Sequence, residues 1–207
     1  NRLRAVLELL AYETHRVNYL ADNKNNKNKT GDADLSRGQA LTLLESPEHL
    51  GSTELAGEFL DYVDQRSGLL IGKGGELERP TSYSFPHRTI QEYLAGCYLV
   101  GSRNRGREVF KRAAEGDFWS LAALMGAEEL FYNHPSTRDA LLDLAYHLCP
   151  DVPPQTEQAE RALLWSGQIA CVIGNEIIER DVDNPSGGKA YLERLIPRTV
   201  NLLESKT

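Results

Sequence analysis

An apolar run passes directly into an amphipathic helix within the stretch Phe85-Pro86-His87-Arg88-Thr89-Ile90-Gln91-Glu92-Tyr93-Leu94-Ala95-Gly96. Apolar residues at helical spacing predict a connecting helix over 87–100. His87 lies where the preceding strand ends and this helix begins. A helix N-terminus presents unpaired N–H groups and partial positive charge, so it attracts phosphate and disfavours imidazolium. A neutral His87 at this position can donate an N–H to an anion. The alternative is a capping or core histidine that bonds a backbone carbonyl.

Three helices and a β-hairpin are predicted upstream of this stretch. The chain opens inside a helix, a second helix runs from about Leu35 to Leu44, and a third is capped by Ser52 or Thr53. Gly68 occupies the position of a left-handed C-terminal residue. Strands are predicted over 69–71 and 82–85, joined by a glycine-rich turn. The apolar face of the third helix is predicted from Leu55, Phe59, Leu60 and Val63. This order is that of a winged helix, which we predict for residues 1–86.

Residues 101–207 are predicted to form an all-α helical domain. Helical patterns near 106–115, 118–132, 136–148, 157–179 and 189–204 are separated by Gly, Pro, Asn and Asp. The fold class is therefore mainly α, with a winged-helix domain followed by a helical domain. Trp119 and Trp165 are expected in the core of the second domain.

Composition and charge restrict the class of protein. The net charge is −7 among 207 residues, and neither half of the chain has a basic excess. The apolar-free run over residues 22–32, rich in Asn and Lys, predicts a mobile insertion, with a nucleic-acid tail as the alternative. The three cysteines are widely spaced, which argues against disulfides and a zinc site and favours the cytoplasm. No signal peptide or membrane span is expected.

The sequence offers no catalytic or metal site. The stretch Ser186-Gly187-Gly188-Lys189-Ala190 lacks the upstream glycine and the hydroxyl residue of a phosphate-binding P-loop. The five histidines are scattered, with no His-x-x-x-His pair. We therefore predict that this chain is not itself an enzyme and does not hold a nucleotide unaided.

A winged helix suggests DNA binding, so a transcription regulator is the alternative function. The third helix would enter the major groove. Affinity for DNA depends on Lys and Arg that neutralise phosphates. The third helix and its end carry one basic residue, Arg66, against four acidic ones: Glu54, Glu58, Asp61 and Asp64. We expect no nucleic-acid binding by this helix.

The stretch over residues 85–95 resembles the Phe-x-His-x-(Ser/Thr)-(Phe/Ile)-Gln-Glu-(Tyr/Phe)-(Leu/Phe)-Ala motif of the NACHT family of STAND NTPases. In that family the motif closes the winged-helix domain after the nucleotide-binding core. The segment over 118–126 is similar, more loosely, to a Trp-containing helix that follows the winged helix in bacterial members. Pro86 and Gly96 depart from the usual pattern, and neither change removes the proposed donor.

The resemblance implies a regulatory clamp and connector within a signalling NTPase of innate immunity or antiviral defence. It assigns to His87 a contact with the β-phosphate of bound ADP, in a parent protein that binds ADP or ATP with Mg²⁺. The implied partners are a P-loop core of the same polypeptide, a C-terminal sensor region and, on activation, an oligomer of the parent. Five motif residues are assigned to structural packing: Phe85, Gln91, Glu92, Tyr93 and Leu94.

Overall fold

The computed structural model describes residues 2–23, 34–75, 79–101, 105–134, 138–174, 176–179 and 187–205. The chain is mainly helical with a small three-stranded antiparallel sheet. It divides into two compact units, Asn1–Tyr98 and Leu99–Thr207. The insertion predicted over 22–32 lies almost entirely outside the described residues.

The first unit contains the sheet and the helices that precede it. Its elements are α1 (Arg2–Asn23), β1 (Leu35–Ser36), α2 (Arg37–Leu44), α3 (Thr53–Tyr62), a π turn (Val63–Ser67), β2 (Ile71–Lys73), β3 (Ser82–Ser84) and most of α4 (Arg88–Gly101). The core draws on every helix of the unit. Its fully buried large side chains include Leu10, Leu44, Leu60 and Tyr83.

The sheet has a strand that the sequence pattern did not predict. Its order is β1-β3-β2, with both neighbours antiparallel to β3. The predicted helix from Leu35 was wrong at its start, because Leu35 and Ser36 pair with β3 and the helix begins at Arg37. Ser36 caps α2 and forms a reciprocal capping box with Gln39. The predicted strand over 69–71 begins at Ile71 and continues into the predicted turn.

The third helix begins as predicted, and the π turn that continues it ends at Gly68 as predicted, but its buried face differs. Ser52 caps α3 by accepting from the N–H of Leu55, and Gly68 adopts a left-handed conformation with φ 63°. The core contains Phe59, Leu60 and Val63, together with Ala56. Leu55 does not join them and is 50% exposed. The prediction for Leu55 was therefore wrong.

The second unit is helical throughout its described residues. It contains α5 (Arg105–Ala114), a 3₁₀ turn (Asp117–Trp119), α6 (Ser120–Asn133), α7 (Arg138–Leu148), α8 (Glu157–Ile173), α9 (Glu176–Glu179) and α10 (Gly188–Glu204). Helix α8 is central, because α5, α6, α7, α9 and α10 all pack against it. Trp119 and Trp165 are buried, as predicted.

The single helix predicted over 157–179 is divided into α8 and α9. Gly174 interrupts it with φ 60°, in the left-handed region. Its N–H still bonds the carbonyl of Ala170 and closes α8. One glycine in an otherwise helical pattern was an insufficient signal for this break.

Two buried polar side chains of the second unit, Arg112 and Tyr191, form polar contacts within it. The Arg112 guanidinium pairs with Glu108 (2.9 Å) and Glu115 (2.5 Å), and it lies 5.2 Å from the ring centroid of Trp119. The Tyr191 hydroxyl on α10 donates to the carbonyl of Ser166 on α8 (2.8 Å). A buried hydroxyl needs such a partner to offset its lost hydration.

Within the described ranges, no helix is both long and apolar enough to cross a bilayer.

Candidate functional site

The backbone around His87 sets the start of α4. Strand β3 ends at Ser84, Phe85 is buried, and His87 immediately precedes the first helical residue. The carbonyl oxygen of His87 accepts from the N–H groups of Ile90 (3.1 Å) and Gln91 (3.2 Å). His87 is thereby fixed at the N-terminal end of a 14-residue helix, where the helix dipole favours anions.

The imidazole of His87 faces solvent. Its side chain is exposed, so the alternative of a core histidine does not hold. Among the residues that the structure describes, none forms a hydrogen bond or ion pair with this ring. Both ring nitrogens are therefore available to an external group. The fully described first turn of α4 contains no acidic side chain that would repel an anion.

Gln91 lies one turn after His87 and is 3% exposed. Its amide nitrogen Nε2 is buried and lacks a hydrogen-bond partner among the described residues. Burial of an unpaired N–H costs about 1–3 kcal/mol. The sequence pattern did not indicate this unpaired donor.

Glu92 is buried although it is an acidic residue. Its Oε1 accepts from Nε of Arg88 at 2.9 Å, an i, i+4 pair on the same helix. This contact supplies a partner that a buried carboxylate requires. Glu92 therefore lies within the packing of the first unit, and it extends no free carboxylate toward His87.

Tyr93 and Leu94 attach α4 to the rest of the first unit. The Tyr93 hydroxyl accepts from Nη2 of Arg4 on α1 at 3.1 Å, and the Arg4 guanidinium lies 6.0 Å from the centroid of the Tyr93 ring. Leu94 is buried. Arg4 was not singled out in the sequence, since its partner lies 89 positions along the chain. These contacts hold the helix that carries His87.

The acidic residues of the third helix divide into two groups. Asp61 pairs with Arg37 at 3.0 Å, and Asp64 accepts from the N–H of Gly72 at 2.8 Å. Glu54 and Glu58 are exposed, and no described residue pairs with either carboxylate. This surface would repel DNA phosphates.

Within the described part of the chain, no group of three or more His, Cys, Asp or Glu side chains could hold a metal ion. Gly188 is buried, and a Cβ at that position would lie 1.6 Å from the carbonyl oxygen of Ile177. Close helix packing accounts for this glycine.

No protein-family model, no curated protein and no solved structure matches the chain. The geometry of the site and the sequence motif are therefore the basis for a functional assignment.

Proposed function

We propose that this chain is the regulatory clamp and connector of a NACHT-type STAND signalling NTPase. In this proposal it stabilises the ADP-bound resting state and relays sensor input. The observation that carries the proposal is the exposed imidazole of His87, which has no internal partner and stands at the N-terminal end of α4.

The topology of the first unit supports a winged-helix assignment for residues 1–86. Its order is helix, strand, two helices and two strands, and the first strand pairs with the last. A winged helix places a three-stranded sheet against three helices in this order. The described elements fit that arrangement, including the strand β1 that the sequence pattern left out.

The chemistry assigned to His87 is a hydrogen bond to phosphate. A neutral imidazole donates one N–H to a β-phosphate oxygen of ADP while the N-terminal N–H groups of α4 favour the negative charge. A hydrogen bond to a charged group contributes about 1.5–3 kcal/mol. That free energy favours the conformation in which the clamp covers the nucleotide, so loss of ADP shifts the population toward the open form.

The nucleotide itself is held by other residues. The sequence lacks a P-loop, so ADP or ATP with Mg²⁺ belongs to a core elsewhere in the same polypeptide. The proposed setting is the cytoplasm. Residues 101–207 connect the clamp to a C-terminal sensor region, and exchange of ADP for ATP leads to oligomerisation of the parent. The isolated chain is expected to bind no nucleotide and to hydrolyse none.

The nucleotide content of the complete polypeptide tests the proposal. We expect His87→Ala to lose the ADP that co-purifies with the wild type and to raise the oligomeric fraction in mass photometry. The matched control is Thr89→Ala, since Thr89 is also exposed in the first turn. An unchanged ADP content and resting state in His87→Ala would contradict the proposal, as would a polypeptide without a P-loop core.

A further inference from the structure

One face of α3 is exposed and carries two large apolar side chains. Leu55 and Tyr62 are 50% and 60% exposed. They lie seven positions apart, which is about two helical turns, and therefore share one side of the helix. Glu58 lies between them and Glu54 beside them, both exposed. We call Glu54, Leu55, Glu58 and Tyr62 the α3 surface.

The four side chains of the α3 surface are exposed. Helix α3 packs through its opposite face, which contributes Ala56, Phe59 and Leu60 to the core. Among the described residues, none forms a hydrogen bond or ion pair with the side chain of Glu54, Glu58 or Tyr62. The two acidic side chains therefore lie without a described partner next to exposed apolar groups.

Three contacts fix the position of α3 within the first unit. Ser52 caps its first turn, Arg37 on α2 pairs with Asp61, and Asp64 bonds the backbone of β2. A fixed surface loses little conformational entropy when it binds a partner. The helix is thus preorganised for docking.

The charges on the α3 surface select the chemistry of its partner. Glu54 and Glu58 are one turn apart, and such residues have Cβ atoms about 5–6 Å apart. Two Lys or Arg side chains at i and i+4 of a second helix match this spacing. Apolar side chains on the same face of that helix would cover Leu55 and Tyr62. Nucleic acid is repelled by these acidic side chains. Pairing of a partner's strand with the edge strand β2 is opposed, because the N–H of Gly72 already donates to Asp64.

We propose that the α3 surface docks a basic amphipathic helix. This inference does not depend on the nucleotide function of His87. Glu54 and Glu58 accelerate and orient association with the basic side chains of the partner helix. Leu55 and Tyr62 supply the apolar area that is removed from water on binding.

Fluorescence anisotropy with the complete chain tests the proposal. The probe is a labelled helical peptide with Lys at i and i+4 and Leu along one face, and its control has Glu in place of Lys. We expect saturable, salt-sensitive binding of the Lys peptide alone. Glu58→Lys and Leu55→Ser should each weaken it about tenfold or more. The first variant places like charges at the interface, and the second removes apolar area from it.

Matched variants in the second unit control for nonspecific attraction to an acidic protein. Glu193→Lys and Leu164→Ser change an exposed acidic and an exposed apolar residue there, and they should leave binding unchanged. Circular dichroism verifies that all four variants fold. Tyr62→Ser replaces Leu55→Ser, and Glu54→Lys replaces Glu58→Lys, where the first variant does not fold. Equal losses in the control variants, or no saturable binding, would overturn the proposal. A dimer in analytical ultracentrifugation that Leu55→Ser dissociates would overturn it in favour of self-association.

Discussion

The side chain of Asp64 is hydrogen-bonded to the backbone of the edge strand β2: its Oδ1 accepts from the N–H of Gly72 at 2.8 Å. An exposed edge strand is a site of unwanted pairing, and a side chain that occupies its N–H opposes this. The approach requires glycine. A Cβ at position 72 would lie 2.7 Å from Oδ2 of Asp64 and 2.2 Å from Cγ of Pro80.

Gly72→Ala is therefore predicted to destabilise the first unit. Forced overpacking typically costs about 1–3 kcal/mol, to be measured as a lower urea midpoint. Gly38→Ala is the control, because nothing lies within 4 Å of a Cβ at Gly38 and alanine favours the helix. Equal midpoints for the two variants would show that the close approach of Asp64 and Pro80 to Gly72 is absent in solution.

Alkaline pH is predicted to destabilise the second unit through Tyr191. Burial raises the pKa of Tyr191 above its ordinary value of 10.0, with a smaller opposing effect from its hydrogen bond to Ser166. The unfolded chain releases the phenolic proton near pH 10 while the folded chain retains it. Stability is therefore fully present below that pH and is lost as pH rises toward the folded pKa.

The contribution of Tyr191 is isolated by Tyr191→Phe. The variant should lose about 1 kcal/mol at neutral pH with the hydrogen bond to Ser166. Above pH 10 its free energy of unfolding should fall less steeply than that of the wild type, as measured by urea titration at several pH values. Parallel pH curves for the two proteins would exclude the buried hydroxyl as the cause.

Thiol labelling is predicted to distinguish Cys171 from the other cysteines. Cys171 is exposed, whereas Cys97 and Cys149 are buried. Burial also raises the pKa of the Cys149 thiol, which lowers its fraction of reactive thiolate. Mass spectrometry after a short maleimide treatment should show one modification at Cys171, and full modification only in denaturant. Rapid labelling of Cys149 in the folded chain would contradict the packing of α7.

Gln91→Leu is predicted to keep or raise thermal stability. The substitution removes a buried donor that has no partner among the described residues, and replacing such a group by an apolar one of similar shape is often neutral or stabilising. Differential scanning calorimetry measures the change, with Gln91→Ala as the control that leaves a cavity. A loss of several degrees in Gln91→Leu would indicate that the amide is paired in solution.

Features set by local chemistry were predictable from the sequence. The cap at Ser52, the left-handed Gly68 and the start of α4 at Arg88 each follow from residue types within a few positions. The two-residue strand β1 was not predictable, because its pairing with Tyr83 lies 48 positions away and two residues show no period. Non-local packing decided this strand.

The candidate site shows the same division. The position of His87 followed from the junction of strand and helix. The Nε2 of Gln91, which is unpaired among the described residues, did not, because a packing role inferred from a motif does not specify the hydrogen-bond partners of the side chain. Leu55 was wrongly assigned to the core, since hydrophobicity alone does not distinguish a buried leucine from an exposed one.

The proposed contact between His87 and the β-phosphate of ADP should slow the dissociation of ADP, so the dissociation rate is the quantity to measure. The complete polypeptide, loaded with a fluorescent ADP analogue, is chased with unlabelled ADP in a stopped-flow instrument. We predict that His87→Ala releases the analogue roughly 10- to 100-fold faster, the factor for losing a hydrogen bond to a charged group. Thr89→Ala should match the wild type. Equal rates for His87→Ala and the wild type would contradict the proposed contact.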